Sequence, residues 1–250
     1  MRWNTILFDL DGTVTDPKVG ITSAAAYALR TLGLGDHDPD TLTPFIGPPL
    51  HLIFPRYGAQ SDEQIDRATD LFREYYARQG WAENIPYPGM AAFLAALRDA
   101  TDDSMTRDEM LRAMYLYVRD SFTYLRRHYY KTGDVGWATQ EALTMYSTGR
   151  GNCYCYASAF WAAARALGFD AKIVSGTYGE EEAPHGWVEI LRGGERYTYD
   201  VEIEMAVRRD RGASDLYEMD DSARRRHGYQ EFSATDDMLP RSLAGELLPG

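Results

Sequence analysis

A cysteine at the start of an apolar, alanine-rich stretch is the residue of this chain best suited to covalent chemistry. The stretch runs from Gly149 to Gly168 and reads GRGNCYCYASAFWAAARALG. Asn152 is a good helix N-cap and Gly168 a usual stop, so Cys153 is predicted to lie in the first helical turn. Unpaired backbone N–H groups and the positive end of the helix dipole favour the nucleophilic thiolate there. A small buried structural cysteine is the alternative interpretation.

A histidine and an aspartate that could assist this thiol occur in a second stretch, PHGWVEILRGGERYTYDVE. It is predicted to form a β-hairpin that turns at Gly193-Gly194. The resulting register places apolar residues opposite one another in pairs, Val188 with Tyr199 and Ile190 with Tyr197. The other face carries His185, Trp187, Glu189, Thr198 and Asp200. His185 and Asp200 become diagonal neighbours, about 7 to 8 Å apart at the backbone, which allows an imidazole–carboxylate hydrogen bond.

Three separated motifs of this region occur in a characteristic order. They are GNCYCYA followed by RALGF, then HGWVEI, then YTYD, all within about residues 101–205. Together they resemble the transglutaminase-like superfamily of papain-fold thiol enzymes. The resemblance implies that Cys153 is the nucleophile, rather than Cys155, which points to another side of the helix. It also implies that His185 is the general base and Asp200 the acid that orients it.

Two carboxylates near the start of the chain indicate a different chemistry. Thr5–Phe8 is predicted to be a short strand, and Asp9 and Asp11 follow it, where open α/β sheets bind ligands. The segments ILFDLDGTVTD, FIGPPL and YPGM resemble the phosphoglycolate-phosphatase-like members of the haloacid-dehalogenase superfamily, which carry a helical cap. This resemblance implies that Asp9 is a phosphoryl-accepting nucleophile and Asp11 a general acid/base. Mg²⁺ would be bound at Asp9 and Asp11.

The later part of the phosphatase pattern does not follow in the sequence. That family needs a Ser or Thr after a second strand, a Lys at the phosphate, and a later acidic pair for Mg²⁺, and these do not occur in order. The lysines are Lys18, Lys131 and Lys172, and the acidic pairs include Asp102-Asp103, Asp220-Asp221 and Asp236-Asp237. Because none of these pairs follows an apolar strand, they are expected to be solvated loop charges. The sequence thus lacks the groups that would stabilise charge at a phosphatase nucleophile. Phosphatase activity is therefore the alternative function.

The composition of the chain indicates which classes of binding partner to expect. The formal charge of −12 argues against nucleic acid, because phosphate binding needs a basic face. No apolar run approaches membrane-spanning length or has the form of a signal peptide. The two cysteines, at i and i+2 of a helix, offer no disulfide framework, which suits a reducing cytoplasm. The expected substrates are peptides, proteins or small amides and esters, with no nucleic acid and no membrane.

Helix signals complete the predicted architecture. Helices are expected over Ile21–Leu32, after a capping box at Ser61 and Gln64, over Ala91–Leu97, and after a second capping box at Thr106 and Glu109. The fold class is predicted to be α+β. Residues 1–100 would form an incomplete haloacid-dehalogenase-like α/β segment with a helical cap, and residues 101–205 a papain- or transglutaminase-like domain. Residues 206–250 would be a polar, loosely packed extension.

The predicted function is cysteine-dependent acyl transfer, of the peptidase, amidase or transglutaminase type, with no cofactor at the thiol site. Two alternatives from other classes remain open. One is a Mg²⁺-dependent phosphatase that uses Asp9 and Asp11. The other is a catalytically silent binding module that keeps the papain-like shape.

Overall fold

The computed structural model describes residues 8–131, 134–211 and 215–235. They divide into two compact units, an N-terminal unit from Phe8 to Tyr87 and a C-terminal unit that begins at Pro88. The predicted strand Thr5–Phe8 lies outside the described residues except for Phe8. The pair Asp236-Asp237 and the end of the predicted extension also lie outside them.

The N-terminal unit is mostly helical. Its helices are α1 (Lys18–Thr31), α2 (Leu50–Ile53) and α3 (Asp62–Arg78), with 3-10 turns at Pro39–Phe45, Phe54–Tyr57 and Gly80–Glu83. Two short strands, β1 (Thr15–Asp16) and β2 (Ile85–Pro86), pair antiparallel. The helices α1 and α3 pack on each other around a buried cluster that includes Leu29 and Leu71. This unit supplies the helical, cap-like part of the predicted segment.

The predicted capping box at the start of α3 is only half formed. The Ser61 hydroxyl accepts a hydrogen bond from the Gln64 backbone N–H at 3.2 Å, as predicted. The Gln64 side chain, however, accepts from the backbone N–H of Gln60 at 2.9 Å instead of reaching Ser61. The box at Thr106 and Glu109 is complete in both directions.

The C-terminal unit combines six helices and two small sheets in the part of the chain that the structure describes. The helices are α4 (Met90–Ala100), α5 (Arg107–Ser121), α6 (Ala138–Thr148), α7 (Cys153–Ala166), α8 (Val201–Arg211) and α9 (Asp221–Arg226). The strands are β3 (Thr123–Tyr124), β4 (Arg150–Gly151), β5 (Ala171–Tyr178), β6 (Ala183–Arg192), β7 (Glu195–Tyr199) and β8 (Gln230–Thr235). Within the described ranges, no helix is both long and apolar enough to cross a membrane.

The central helix of this unit is α7, which is buried on nearly every side. It contacts α5, α6, α8 and the strands β5 and β6. Its alanines are good helix formers and small enough to let these neighbours approach closely. The larger sheet, in the order β7-β6-β5-β8, is antiparallel throughout. The start of α7 is thereby fixed beside the strands that carry the predicted partners of its cysteine.

The helix α4 belongs to the C-terminal unit. It packs against α5 and α6, and the Phe93 ring lies 5.0 Å from that of Tyr146 between centroids. Buried apolar side chains such as Leu97 therefore face the same unit as α7. The place near Ala100 where the sequence becomes acidic and polar lies between α4 and α5, whereas the compact C-terminal unit begins at Pro88. The junction near Ala100 stays a prediction about where the two sequence resemblances meet.

The predicted hairpin register is confirmed. Val188 pairs with Tyr199 and Ile190 with Tyr197. The turn residues Gly193 and Gly194 have φ angles of 61° and 91°, the positive values that a tight two-residue hairpin turn requires. Both faces of this hairpin are buried near its open end, since Trp187 and Val188 are each 0% exposed. The polar groups predicted on one face consequently lie in the protein interior.

The predicted loose packing after residue 206 is wrong for the described part of that region. Leu216, Met219 and Tyr229 form a buried cluster with Trp187 and Val174. In addition, β8 adds to the sheet by pairing with β5. The polar average composition of this region gave no sign of these few apolar side chains, which pack against Val174 and Trp187 of the sheet.

Candidate active site

Cys153 is the first residue of α7, where the sequence placed it. The Asn152 side chain caps the helix by accepting a hydrogen bond from the Cys155 N–H at 3.4 Å, and it donates to the His128 carbonyl at 2.9 Å. Gly186 on β6 allows close approach, because a Cβ at this position would lie 2.7 Å from the Tyr154 ring. The first turn of α7 can therefore pack directly against the strand that carries the predicted base.

The hairpin brings His185 and Asp200 into direct contact. His185 Nε2 lies 2.6 Å from Asp200 Oδ2, and the two side chains are 5% and 1% exposed. Cys153 lies near enough to the same imidazole to raise the pKa of His185. Because Nε2 faces the carboxylate, Nδ1 is the ring nitrogen open to the thiol. The structure thus brings the three predicted residues close together.

The surroundings of His185 favour the charged imidazolium. Burial lowers the pKa of His185, but the charges of Asp200 and Cys153 and the hydrogen bonds to both raise it more. The net effect is a pKa well above the ordinary value for histidine. A protonated imidazole at neutral pH is the partner that stabilises a thiolate. The imidazolium therefore lies between the Asp200 carboxylate and the Cys153 side chain.

Asp200 is held by more groups than the sequence indicated. Its Oδ2 also accepts a hydrogen bond from the Tyr229 hydroxyl at 2.7 Å, and its Oδ1 accepts from the Ile203 N–H at 3.0 Å. The second contact places Asp200 in the position of a cap on α8. Tyr229 lies 29 residues further along the chain. No local motif marks it, since only the return of the chain through α9 brings its hydroxyl to the carboxylate.

Removing the Tyr229 hydroxyl should weaken the hold on Asp200. A hydrogen bond to a charged group contributes about 1.5–3 kcal/mol to stability, and we expect Tyr229→Phe to lower the free energy of unfolding in urea by that amount. Tyr197→Phe is the matched control, because its hydroxyl contacts the exposed Glu195. Equal stability of the two variants would show that the Tyr229 contact does not anchor the carboxylate.

The second cysteine lies in a different environment. Cys155 Sγ donates a hydrogen bond to Glu141 Oε2 at 2.7 Å, and this carboxylate also accepts from the Tyr130 hydroxyl at 2.7 Å. Burial, followed by the contact with Glu141, raises the pKa of Cys155 to about 12. The thiol is accordingly protonated and engaged in a structural contact. The choice of Cys153 over Cys155 as the nucleophile stays a prediction, and the contact of Cys155 with Glu141 on α6 is compatible with it.

The predicted phosphatase carboxylates lie in the N-terminal unit, on the exposed segment before β1. Both Asp9 and Asp11 are exposed. Asp11 accepts hydrogen bonds from the Asn84 amide at 2.9 Å on Oδ1 and from the Tyr76 hydroxyl at 3.0 Å on Oδ2. Neutral donors therefore occupy both of its oxygens.

Two carboxylates are the part of a Mg²⁺ site that this unit offers. Mg²⁺ is usually bound through one or two carboxylates together with waters and substrate phosphate, so Asp9 and Asp11 are the residues that would hold it. Over the described ranges, no group of three Asp, Glu, His or Cys side chains is arranged to hold a metal. The ligand roles of Asp9 and Asp11 remain predictions.

Comparison with known families identifies both parts of the chain. Residues 6–131, just over half of the chain, match the haloacid dehalogenase-like hydrolases. Residues 94–200 match the transglutaminase-like superfamily. The chain belongs to the haloacid dehalogenase-like hydrolase family and also contains a transglutaminase-like domain. Both sequence resemblances and the α+β fold class are confirmed.

Individual relatives cover only parts of the chain. A 5'-nucleotidase from Pseudomonas aeruginosa is 39% identical over 97 residues, which are 39% of this chain and 44% of the relative. A phosphoglycolate phosphatase from Aquifex aeolicus is 32% identical over 93 residues, 37% of this chain and 43% of the relative. The chain thus spans less than half the length of either. A solved transglutaminase structure is 17% identical with a TM-score of 0.33, covering 44% of this chain and 30% of that one.

Proposed function

We propose that this protein is a cysteine-dependent acyl-transfer enzyme in which Cys153 is the nucleophile, His185 the general base and Asp200 the orienting acid. The observation that carries the proposal is the buried 2.6 Å contact between His185 and Asp200, close to the Cys153 side chain at the start of α7. Nucleophile, base and orienting acid come from three separate elements and meet at one place. This arrangement is the one that activates thiol nucleophiles.

The proposed reaction proceeds through an acyl-enzyme. The Cys153 thiolate attacks an amide or ester carbonyl, and the His185 imidazolium gives its proton to the leaving group. Water as the second substrate gives hydrolysis, and an amine gives transamidation. The N–H groups of Cys155 and Tyr156 are bonded to Asn152. The N–H groups of Cys153 and Tyr154 are therefore the candidate donors to the developing oxyanion.

Peptides, proteins and small amides or esters are the proposed substrates, and the cytoplasm is the proposed location. Both cysteines are free and buried, which is compatible with a reducing compartment. The triad itself requires no cofactor in this proposal, because the thiolate supplies the nucleophile and the imidazolium the proton.

Thiol labelling tests the assignment without knowledge of the substrate. We expect iodoacetamide to modify Cys153 faster than Cys155 by about 100-fold at neutral pH, because a thiol with a pKa of about 12 contributes almost no thiolate. His185→Ala should slow the reaction of Cys153 by removing the cation that stabilises its thiolate. Equal rates at the two cysteines, unchanged by this substitution, would contradict the triad and favour the silent binding module.

A phosphatase is the second candidate, supported by membership of the haloacid dehalogenase-like family and by Asp9 and Asp11 in the ILFDLDGTVTD segment that resembles it. In that case Asp9 would attack a phosphate ester and Asp11 would protonate the leaving alcohol. Hydrolysis of para-nitrophenyl phosphate that is lost both with EDTA and in Asp9→Asn would establish this activity. Hydrolysis that persists in Asp9→Asn would exclude it.

A further inference from the structure

Two arginines close to the proposed nucleophile carry charges that no carboxylate of the described residues neutralises. Arg126 and Arg150 are both exposed, and neither guanidinium forms an ion pair within the described ranges. The adjacent Arg127, by contrast, contacts Glu141 at 3.5 Å. Because the whole chain has a formal charge of −12, two uncompensated positive charges next to a reactive group form a local exception to its charge. Such a surface favours an anionic ligand.

Backbone contacts place Arg126 beside the start of α7. The N–H of Leu125 donates to the Gly151 carbonyl at 2.8 Å. The backbone carbonyl two residues after Arg126 accepts from the Asn152 side chain at 2.9 Å. Arg126 lies between these two contacts, and the first of them limits the distance between its Cα and that of Cys153 to about 15 Å.

Arg150 approaches the thiol from the other strand of the same small sheet. It pairs with Thr123 in the parallel ladder of β3 and β4. Because it precedes Cys153 by three residues, the two Cα atoms are at most about 11 Å apart. Arginine has a long stem with the charge at its tip, so both guanidinium groups can reach a molecule bound at the thiol.

The segment that carries Arg126 is held in place from α6. Glu141, which is 3% exposed, accepts a hydrogen bond from the Tyr130 hydroxyl at 2.7 Å and contacts the Arg127 guanidinium on the same oxygen. A backbone that is fixed before binding lowers the entropy cost of ordering a long side chain against a ligand. Arg126 is therefore presented from a fixed support.

Exposed apolar side chains are concentrated in the same segment. In the described part of the C-terminal unit, the exposed large apolar residues are Tyr124, Leu125, Tyr129, Val135 and Leu191. All of them except Leu191 lie between residues 124 and 135, on either side of the arginine. Exposed apolar groups that cluster in this way mark contact surfaces for other molecules. An inorganic anion offers nothing to such groups, whereas a peptide offers both apolar and charged side chains.

We infer that Arg126 and Arg150 bind carboxylate side chains of an acidic peptide substrate at Cys153. This inference rests on the proposed function and narrows its substrate class to peptides with Asp or Glu close to the reacting carbonyl. The planar guanidinium matches a carboxylate with two parallel hydrogen bonds. The negative charge of the rest of the chain repels such a peptide elsewhere and thereby directs it to this surface.

Two thiol reagents of nearly equal shape test the charges on the full chain. Iodoacetate carries a carboxylate where iodoacetamide carries a neutral amide. Tandem mass spectrometry gives the rate of each at Cys153, and the ratio of the two rates cancels the thiolate fraction. A charge about 10 Å away in water changes this ratio about twofold, so Arg126→Gln/Arg150→Gln should lower it about fourfold at low salt. Each single substitution should lower it about twofold, and high salt should remove the difference.

Arg196→Gln is the matched control for this measurement. Arg196 is exposed and pairs with Leu191, which lies about 20 Å along β6 from His185. The substitution removes the same charge from the same unit and should leave the ratio unchanged, because the distance exceeds the screening length. An equal fall of the ratio in this variant and in the double variant would reveal an effect of net charge alone and would overturn the inference. An unchanged ratio in the double variant would also overturn it.

Protection of the thiol tests the peptide itself. A blocked hexapeptide of alternating glycine and glutamate should slow the labelling of Cys153 by neutral iodoacetamide. We expect a factor of about three at about 2 mM peptide, which corresponds to a dissociation constant of about 1 mM. The glutamine counterpart should not protect, and Arg126→Gln/Arg150→Gln should lose the protection. Equal protection by inorganic phosphate at the same concentration would overturn the peptide as the ligand.

The outcomes separate this inference from the proposed function. A ratio that depends on the two arginines supports the peptide site even if His185→Ala changes neither rate, a result that would overturn the triad alone. Conversely, labelling that depends on His185 but not on the arginines would leave the acyl-transfer proposal standing and overturn only the acidic substrate. A Cys153 that neither reagent modifies would overturn both. Both arginines are exposed, so the double variant should keep the melting temperature of the wild type.

Discussion

Cys153→Ala is expected to abolish acyl transfer, with a loss of at least about 10⁴-fold. The reason is that the neighbouring thiol cannot substitute for it, since Cys155 is buried and bonded to Glu141. The measurement is turnover of peptide, glutamine and ester substrates by the full chain, with thermal denaturation to verify that the variant is folded. An active Cys153→Ala protein would show that the thiol is not the nucleophile.

Two controls make this result specific. Cys155→Ala removes the same chemical group two positions along α7 and should leave most of the activity, because it alters a structural contact. Asp9→Asn changes the N-terminal unit and should have no effect on acyl transfer. Loss of the activity in Asp9→Asn, with activity retained in Cys153→Ala, would assign the reaction to the haloacid dehalogenase-like part of the chain.

The parts of the site that could be predicted from sequence are those set by local geometry. The Asn152 side chain caps α7 by accepting a hydrogen bond from the backbone N–H three residues further along. This cap fixes the start of the helix and therefore the position of Cys153. Gly193 and Gly194 fix the hairpin turn, and strand alternation then determines where His185 and Asp200 stand. Because each step depends on a few neighbouring residues, the sequence pattern alone predicts the positions of these three residues.

The remaining parts depend on segments that are distant in sequence. Tyr229 reaches Asp200 because the chain returns through α9 to β8, which pairs with β5. No motif marks its neighbourhood in sequence. Similarly, the family pattern at Asp11 gave no indication that Tyr76 and Asn84 would occupy its oxygens.

Glu204→Ala is expected to cause a large loss of stability in the C-terminal unit, about 3–5 kcal/mol. Glu204 is 0% exposed and accepts hydrogen bonds from Arg119 at 2.7 Å, from the Tyr115 hydroxyl at 2.8 Å and from the Leu216 N–H at 2.8 Å. Its removal leaves the buried Arg119 guanidinium without its interior partner and the Leu216 N–H unpaired. Hydrogen–deuterium exchange of the α5 and α8 peptides measures the effect in this unit.

Asp99→Ala is the matched control, because it removes a carboxylate from an exposed ion pair with Arg98 in the same unit. Such pairs contribute less than about 1 kcal/mol. Glu204→Gln should lie between the two variants, since the amide oxygen can still accept from Leu216 but no longer carries the charge that Arg119 needs. The Tyr115 hydroxyl contacts both Glu204 and the Asp200 carbonyl, so loosening this network also loosens the orienting acid. If α8 exchanges as slowly in Glu204→Ala as in Asp99→Ala, the buried ion pair does not hold α8 to α5, and the position of Asp200 does not depend on it.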